Sequence, residues 1–533
     1  MSQSTNRQIA RAAGTVMVAI VFGQVMSLIR SMLVARAFPL AELDAFYAAN
    51  RVSETLFTLL AAGALGSAFL PTFTGFLVRG ETGAAWRLAV SLALLVTLAL
   101  SLLAALAAVF APLLVRYLLA PGLAADPRLF TLTVDMLRIQ LISAVLFGVG
   151  GLVVSILNAH QVFFIPQLTA SMYQIGQIFG AVVLARWLGI YGLAWGVVLG
   201  SAFYLAIQLP SLIKLAPPVA KEGIWLTAAR TLWSNPAVWQ VIRLMGPRVL
   251  GAGVVQLNFW VNAWLASQMA SGSYAGLVYG FTLMLMAQAA IAQSVAIAVL
   301  PTFSAQFARG ELDAMRQALV SALRGMLLLA IPAAIGLMLL RQPIVAMLYQ
   351  RGEFNAAATE MVAWALLWYA AGLIGHAILE VLTRAFYAQQ DTRTPVLVGA
   401  LAMSLNVVFS FGFSAWFDQI GWMPHGGLAL ANSLATALEA GILFALMRRR
   451  LNGLKVGFLL DGVARISLAA FGMALALAAW LGLTAEARFW LRGLGGVVLG
   501  VAVYGAGILL ARIPEVHHLL TLIKRKFTSH AAL

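Results

Sequence analysis

The chain has 533 residues, 62% of them hydrophobic and only 10% charged, with a mean hydropathy of +0.94. That balance excludes a water-soluble globular protein, because no soluble core can hide so much apolar surface. A formal charge of +16 invites a nucleic-acid partner. The basic residues are spread over many connections instead of being gathered on one domain, so anionic inner-leaflet lipid is the simpler counterpart.

A membrane-crossing helix needs roughly 20 apolar residues at about 1.5 Å each. The first apolar run, from about Ala10 to Arg36, is too long for a signal-peptide core and has no small-residue cleavage pattern after it, so it reads as the first span. Spans follow near 43–77, 87–118, 131–158, 163–189, 190–215, 237–268, 273–305, 314–342, 358–388, 394–416, 424–449, 460–484 and 488–512. The fold class is therefore an all-α integral membrane protein of about fourteen transmembrane helices. With the N-terminus inside, nineteen basic residues fall on inner connections and tails, Arg448, Arg449 and Arg450 among them, against eight on outer ones. This asymmetry predicts both termini on the cytoplasmic side of the membrane.

The chain repeats itself. Leu70-Pro71-Thr72-Phe73 recurs as Leu300-Pro301-Thr302-Phe303, and Arg79-Gly80-Glu81 as Arg309-Gly310-Glu311, both displaced by 230 residues. Ala159-His160-Gln161 with Pro166 answers Ala388-Gln389-Gln390 with Pro395, and Gly192-Leu193-Ala194 answers Gly427-Leu428-Ala429. A period of six spans returns the chain to its starting side, so the two copies share one orientation and are related by an axis along the membrane normal. The expected organisation is a six-helix lobe over 1–215, a cytoplasmic linker over 216–236, a second six-helix lobe over 237–450, and an extra helix pair with a basic tail over 451–533. Two parallel lobes imply a cavity between them that opens to either side in turn, which is a transporter's architecture.

Three stretches of the first lobe carry a resemblance: Asp44-Ala45-Phe46 leading through Gly63-Ala64 to Leu70-Pro71, then Leu157-Asn158 with Phe164-Ile165-Pro166, and the run Gly189 to Gly196. The second lobe adds Pro247-Arg248-Val249-Leu250 with Gln256 and Asn258, Arg351-Gly352-Glu353-Phe354, and the run Arg384 to Pro395. Together they resemble the MurJ/MviN lipid II flippases over nearly the whole chain. The resemblance implies an alternating-access flippase that moves a polyprenyl-pyrophosphate-linked peptidoglycan precursor across the cytoplasmic membrane for cell-wall synthesis. Its partners would be the lipid-linked glycan, membrane lipid and proteins of cell-wall synthesis.

A pyrophosphate headgroup needs cations along its route, Arg above all, because the planar guanidinium matches phosphate oxygens. Arg30 leads, since it lies deep in the first span where the family carries a cavity arginine; snorkelling to headgroups is the competing reading. Arg51 lies at comparable depth in the second span, with an Arg51–Glu54 ion pair at i,i+3 as its alternative. Asp44, at the start of that span, reads foremost as a helix cap. Arg248 faces either substrate or inner-leaflet phosphates. Gln24, Gln256, Asn258 and Asn262 can meet sugar or peptide amides, or bond helix to helix. Glu380, with His376 one turn before it, is a candidate for ion coupling together with Glu54; pairing with Arg384 explains Glu380 equally well.

The chain departs from the family pattern at Phe281-Thr282, where the family has an Asp-Arg pair, at Ala287 in place of a Pro, and at Ser53-Glu54 and Phe57-Thr58 in the second span. Export of another polyprenyl-linked glycan and ion-coupled export of small solutes are the alternatives, and a non-transporting scaffold is a third. No enzyme is expected: there is no cysteine, no His pair at metal-ligand spacing inside the membrane and no P-loop, so no metal or cofactor is implied.

Overall fold

The computed structural model describes residues 3–59, 66–217, 228–230 and 233–511, and among them it contains helices and connections but no strand. A bilayer leaves a backbone amide no water to bond, so these apolar runs close their hydrogen bonds within each segment. In chain order the long helices are α1 (Gln3–Ala37), α2 (Leu40–Phe57), α3 (Gly66–Val78), α4 (Thr82–Val109), α5 (Pro127–Ala159), α6 (Phe164–Leu188), α7 (Ile190–Leu215) and α8 (Pro236–Ser267). They continue with α9 (Ser273–Ala308), α10 (Leu312–Leu339), α11 (Ala356–Ala388), α12 (Arg393–Gln419), α13 (His425–Arg450), α14 (Val456–Leu483) and α15 (Leu491–Leu510).

Eleven of the described helices are long and apolar enough to cross a membrane, twelve if the bent α8 counts as one span. The two remaining expected spans are α1 and the α2–α3 pair. In place of one continuous apolar run, α2 carries Glu42, Asp44, Arg51 and Glu54 within 18 residues, a load that lipid does not tolerate and a polar protein interior does. Residues 60–65 between α2 and α3 lie outside the described set. The expected span 87–118 also ends early, at Val109, because Pro112 stands at the start of the short helix that follows.

Packing divides the chain into two units, one reaching Ala275 and including Arg351–Phe354, the other formed by the rest. This is not the division drawn by the repeats: α8 opens the second repeat yet packs on α2, α3 and α4 within unit 1. The core of unit 1 gathers Phe69, Phe73, Trp86, Leu88, Leu152, Ile156, Val238 and Val241. Beside it, α6 and α7 are in close contact along Gly176, Gly180, Gly192, Gly196 and Gly200, where a Cβ on Gly176 would collide with the Gly200 backbone. In unit 2, α11 packs between α10 and α13, and α14 lies on α10. Arg324 of α10, 1% exposed, fixes that last contact: its guanidinium stacks 3.8 Å from the Phe458 ring centre, and Nη1 donates to the Phe458 carbonyl at 3.0 Å. The Tyr504 hydroxyl of α15 donates to the Leu328 carbonyl at 2.6 Å.

The repeat is written in the backbone as well as in the letters. Gly80 and Gly310 both turn at positive φ, +76° and +71°, where a side chain would be strained. Gln161 and Gln390 both stand at φ 60°, a conformation uncommon outside glycine. Asp126 and Asn355 then cap equivalent helices, each accepting from a backbone N–H two or three residues on.

Candidate polar site

A polar cluster in unit 1 joins α1, α2, α6, α8 and the first turn of α9. Arg30, half-buried on α1, donates from Nη1 to Gln177 Oε1 at 3.0 Å, and its buried Nε has no acceptor among the described residues. Gln177 is held here because Gly176 and Gly180 bring α7 against one face of α6, leaving the neighbouring face to α1. Tyr173, one turn before Gln177 and therefore on the same face, hydrogen-bonds through its hydroxyl to the Asn50 side chain.

Arg51 is engaged on three sides. Nη1 lies 3.0 Å from Glu54 Oε2, so the i,i+3 pair is formed; Nε and Nη2 donate to the Tyr274 hydroxyl at 3.2 and 2.9 Å; and the guanidinium lies 5.1 Å from the Phe259 ring centre. Thr55, one turn on, donates to the Arg51 carbonyl and stands 3.3 Å from Gln256 Oε1, while Trp260 Nε1 donates to its hydroxyl at 2.8 Å. Gln256 and Asn258 are buried on α8, and Gln24 is exposed on α1. Arg248 falls within α8, but its side chain lies outside the described residues.

Asp44 does cap a helix, though not the one it opens. Its carboxylate accepts from the Gly272 and Ala275 N–H groups at 2.5 and 2.6 Å, at the start of α9, whereas Pro39 precedes α2. A buried carboxylate at a helix N-terminus satisfies amides that have no intrahelical partner.

Unit 2 holds a second, differently charged cluster. His376 Nε2 lies 3.3 Å from Asn432 Oδ1 and 3.5 Å from Thr436 Oγ1. One turn on, Glu380 accepts from Gln288 Nε2 at 3.3 Å and stands 3.8 Å from Arg384 Nη2, so Arg384 and Gln288 both hold it. Glu439 on α13 is 7% exposed and faces Gly399. Among the described residues no three His, Asp or Glu side chains are grouped to share a metal ion.

Residues 38–493 match the family described as lipid II flippase MurJ. The chain belongs to the MurJ family. It is 31% identical over 444 residues to the lipid II flippase MurJ of Burkholderia cenocepacia, covering 83% of this chain and 84% of that protein. It is 30% identical over 432 residues to the probable lipid II flippase MurJ of Vibrio cholerae, with 79% of each covered. Among solved structures, a lipid II flippase MurJ in an inward closed conformation shares the fold with a TM-score of 0.77 at 24% identity, over 93% of this chain and 98% of that one. A multidrug resistance MATE transporter of the MOP superfamily, inward-facing, follows with a TM-score of 0.65 at 14% identity, over 82% and 98%. MurJ proteins are transporters, not enzymes.

Several partners in this MurJ member's cluster escape a reading of the sequence: Gln177, Tyr173, Asn50, Thr55 and Tyr274. Gln177 offered one signal, an amide beside glycines spaced for close helix packing. The others sit in apolar or mixed runs where nothing in the local pattern marks them.

Proposed function

We propose that this chain translocates lipid II from the inner to the outer leaflet of the bacterial cytoplasmic membrane by alternating access, with both termini cytoplasmic. Family membership over residues 38–493 supports the lipid substrate. The observation that carries the reading at the site is Arg30. It is a half-buried guanidinium in the first helix that donates to one neutral acceptor, Gln177, while its buried Nε has no acceptor among the described residues. A pyrophosphate oxygen fits that donor. Arg51 plays a different part in this reading: with Glu54, Tyr274 and Phe259 around it, it orders the wall beside Arg30. Gln24, Gln256, Asn258 and Arg248 are proposed contacts for sugar, peptide or phosphate along the same route. His376, Glu380 and Glu54 are the proposed coupling groups.

The test is complementation. Expressed in a flippase-depleted bacterium, the unmutated chain should restore growth, and lipid II should become accessible to a reagent confined to the outer face. A well-expressed, membrane-inserted protein that leaves lipid II inside would overturn the assignment in favour of another lipid-linked glycan.

A further inference from the structure

Unit 2 contains a pocket that belongs to neither polar cluster. It lies at the end of α11 opposite the Asp391–Arg450 ion pair, where the short helix Arg341–Tyr349, the first turn of α11 and the segment leading into α15 meet. The cavity is about 250 Å³, and its polar lining is Gln342, Gln350, Thr359, Glu360 and Arg492, with Phe489 as the aromatic wall.

Two features give the pocket a chemistry. Arg492 and Glu360 are of opposite charge and both line it, yet neither is in an ion pair among the described residues, and the Arg492 Nε is buried without an acceptor. Thr359 and Gln350, by contrast, are bonded to each other at 3.3 Å and form a fixed floor. A site that keeps a guanidinium and a carboxylate apart suits a ligand carrying both a phosphate and an ammonium. The second feature is depth. Trp480, Phe489 and Trp490 surround this end of the extra helix pair, with Trp480 Nε1 donating to the Arg492 carbonyl at 3.3 Å, and such amphipathic rings gather at headgroup level.

We infer that this pocket binds the headgroup of a zwitterionic phospholipid, phosphate on Arg492 and primary ammonium on Glu360, with Gln342 at the rim. In the orientation proposed above it lies in the outer leaflet, but the headgroup chemistry does not depend on the transported substrate. The pocket walls come from three separate pieces of chain, so a bound headgroup also fastens the start of α15 to the Arg341–Tyr349 helix, where Gly493 already packs against Pro343.

The test uses the purified full chain in nanodiscs of phosphatidylethanolamine, phosphatidylglycerol or phosphatidylcholine, read by native mass spectrometry and by hydrogen exchange over residues 484–495. Phosphatidylethanolamine should be retained best and should slow exchange most, because phosphatidylglycerol lacks the ammonium and phosphatidylcholine cannot donate from its own. Arg492→Gln should weaken retention of all three lipids, each of which carries the phosphate, about tenfold, the loss of one charge-assisted contact. Glu360→Gln should remove only the preference for phosphatidylethanolamine over phosphatidylglycerol. Equal retention of all three lipids, or variants that behave as the parent, would overturn the inference. So would displacement of phosphatidylethanolamine by a polyprenyl-pyrophosphate amino sugar at equal concentration, which would assign the pocket to the transported lipid instead.

Discussion

The two repeats agree in backbone and disagree in charge. Gly80 with Gly310 and Gln161 with Gln390 keep the same unusual φ values across 230 or 229 residues. At the same displacement, Arg30 is answered by Trp260, Arg51 by Phe281 and Glu54 by Met284. The second copy instead carries His376 and Glu439, opposite the uncharged Phe147 and Tyr204 of the first at the local displacements of 229 and 235 residues. Turns and caps are set by local sterics that any copy of the helix pair must satisfy, whereas a buried charge survives only where a partner or a task maintains it. The comparison teaches that the duplication supplied a frame, and that the cationic chemistry of unit 1 is particular to it.

Removing the Arg30 charge, which is in no ion pair among the described residues, should have the largest effect. Arg30→Ala is expected to abolish complementation, a loss of about 100-fold or more in outer-face lipid II, with insertion and thermal stability close to the parent; normal growth would break the contrast between the repeats. Arg51→Ala should act through stability. Losing the Tyr274 and Glu54 contacts should cost roughly 2 kcal/mol, seen as a lower Tm in detergent, with Arg51→Lys recovering only part of it.

Asp44→Asn tests the cap on α9. An amide can satisfy one of the two N–H groups now held by the carboxylate, so the expected cost is about 1 kcal/mol, with faster hydrogen exchange at Gly272 to Ala275. The smallest effect belongs to the turn that the second repeat adds to its copy of the motif. The Thr394 hydroxyl and N–H, and then Arg450, hold the Asp391 carboxyl down at about 2. Its contribution is therefore complete above the ordinary value near 3.8 and fades only as pH falls through about 2. Asp391→Asn should lower Tm slightly and by the same amount from pH 8 to pH 5, with the gap closing under acid; a gap that changes between pH 8 and pH 5 would contradict this.

Span positions were legible because length and hydropathy report directly on the bilayer, and the duplication was legible because turn residues recur. The character of the second span was not, since α2 carries four ionisable residues that a hydropathy reading places in lipid, and the fold gives Glu42, Asp44 and Arg51 partners far along the chain. The identities of Arg30 and Arg51 could be picked out by their rarity in apolar runs. Their partners could not: Gln177 is 147 residues from Arg30, and Tyr274 is 223 from Arg51. The same holds for Asp44, recognisable as a cap by residue type, whose partner amide at Gly272 is 228 residues away. Nothing in a local window encodes such pairings, which depend on which helix faces which.

The glycine seam between α6 and α7 has a mechanical consequence. With no side chains between the two backbones there is nothing to re-pack as they slide, and any shear would drive main-chain atoms into one another. The two helices must therefore travel as one strut, and Gln177 is carried with it. A rearrangement that frees the Arg30 guanidinium would then be a displacement of α1 against a rigid plate, so a crosslink across α6 and α7 should leave transport intact while one joining α1 to α6 should arrest it.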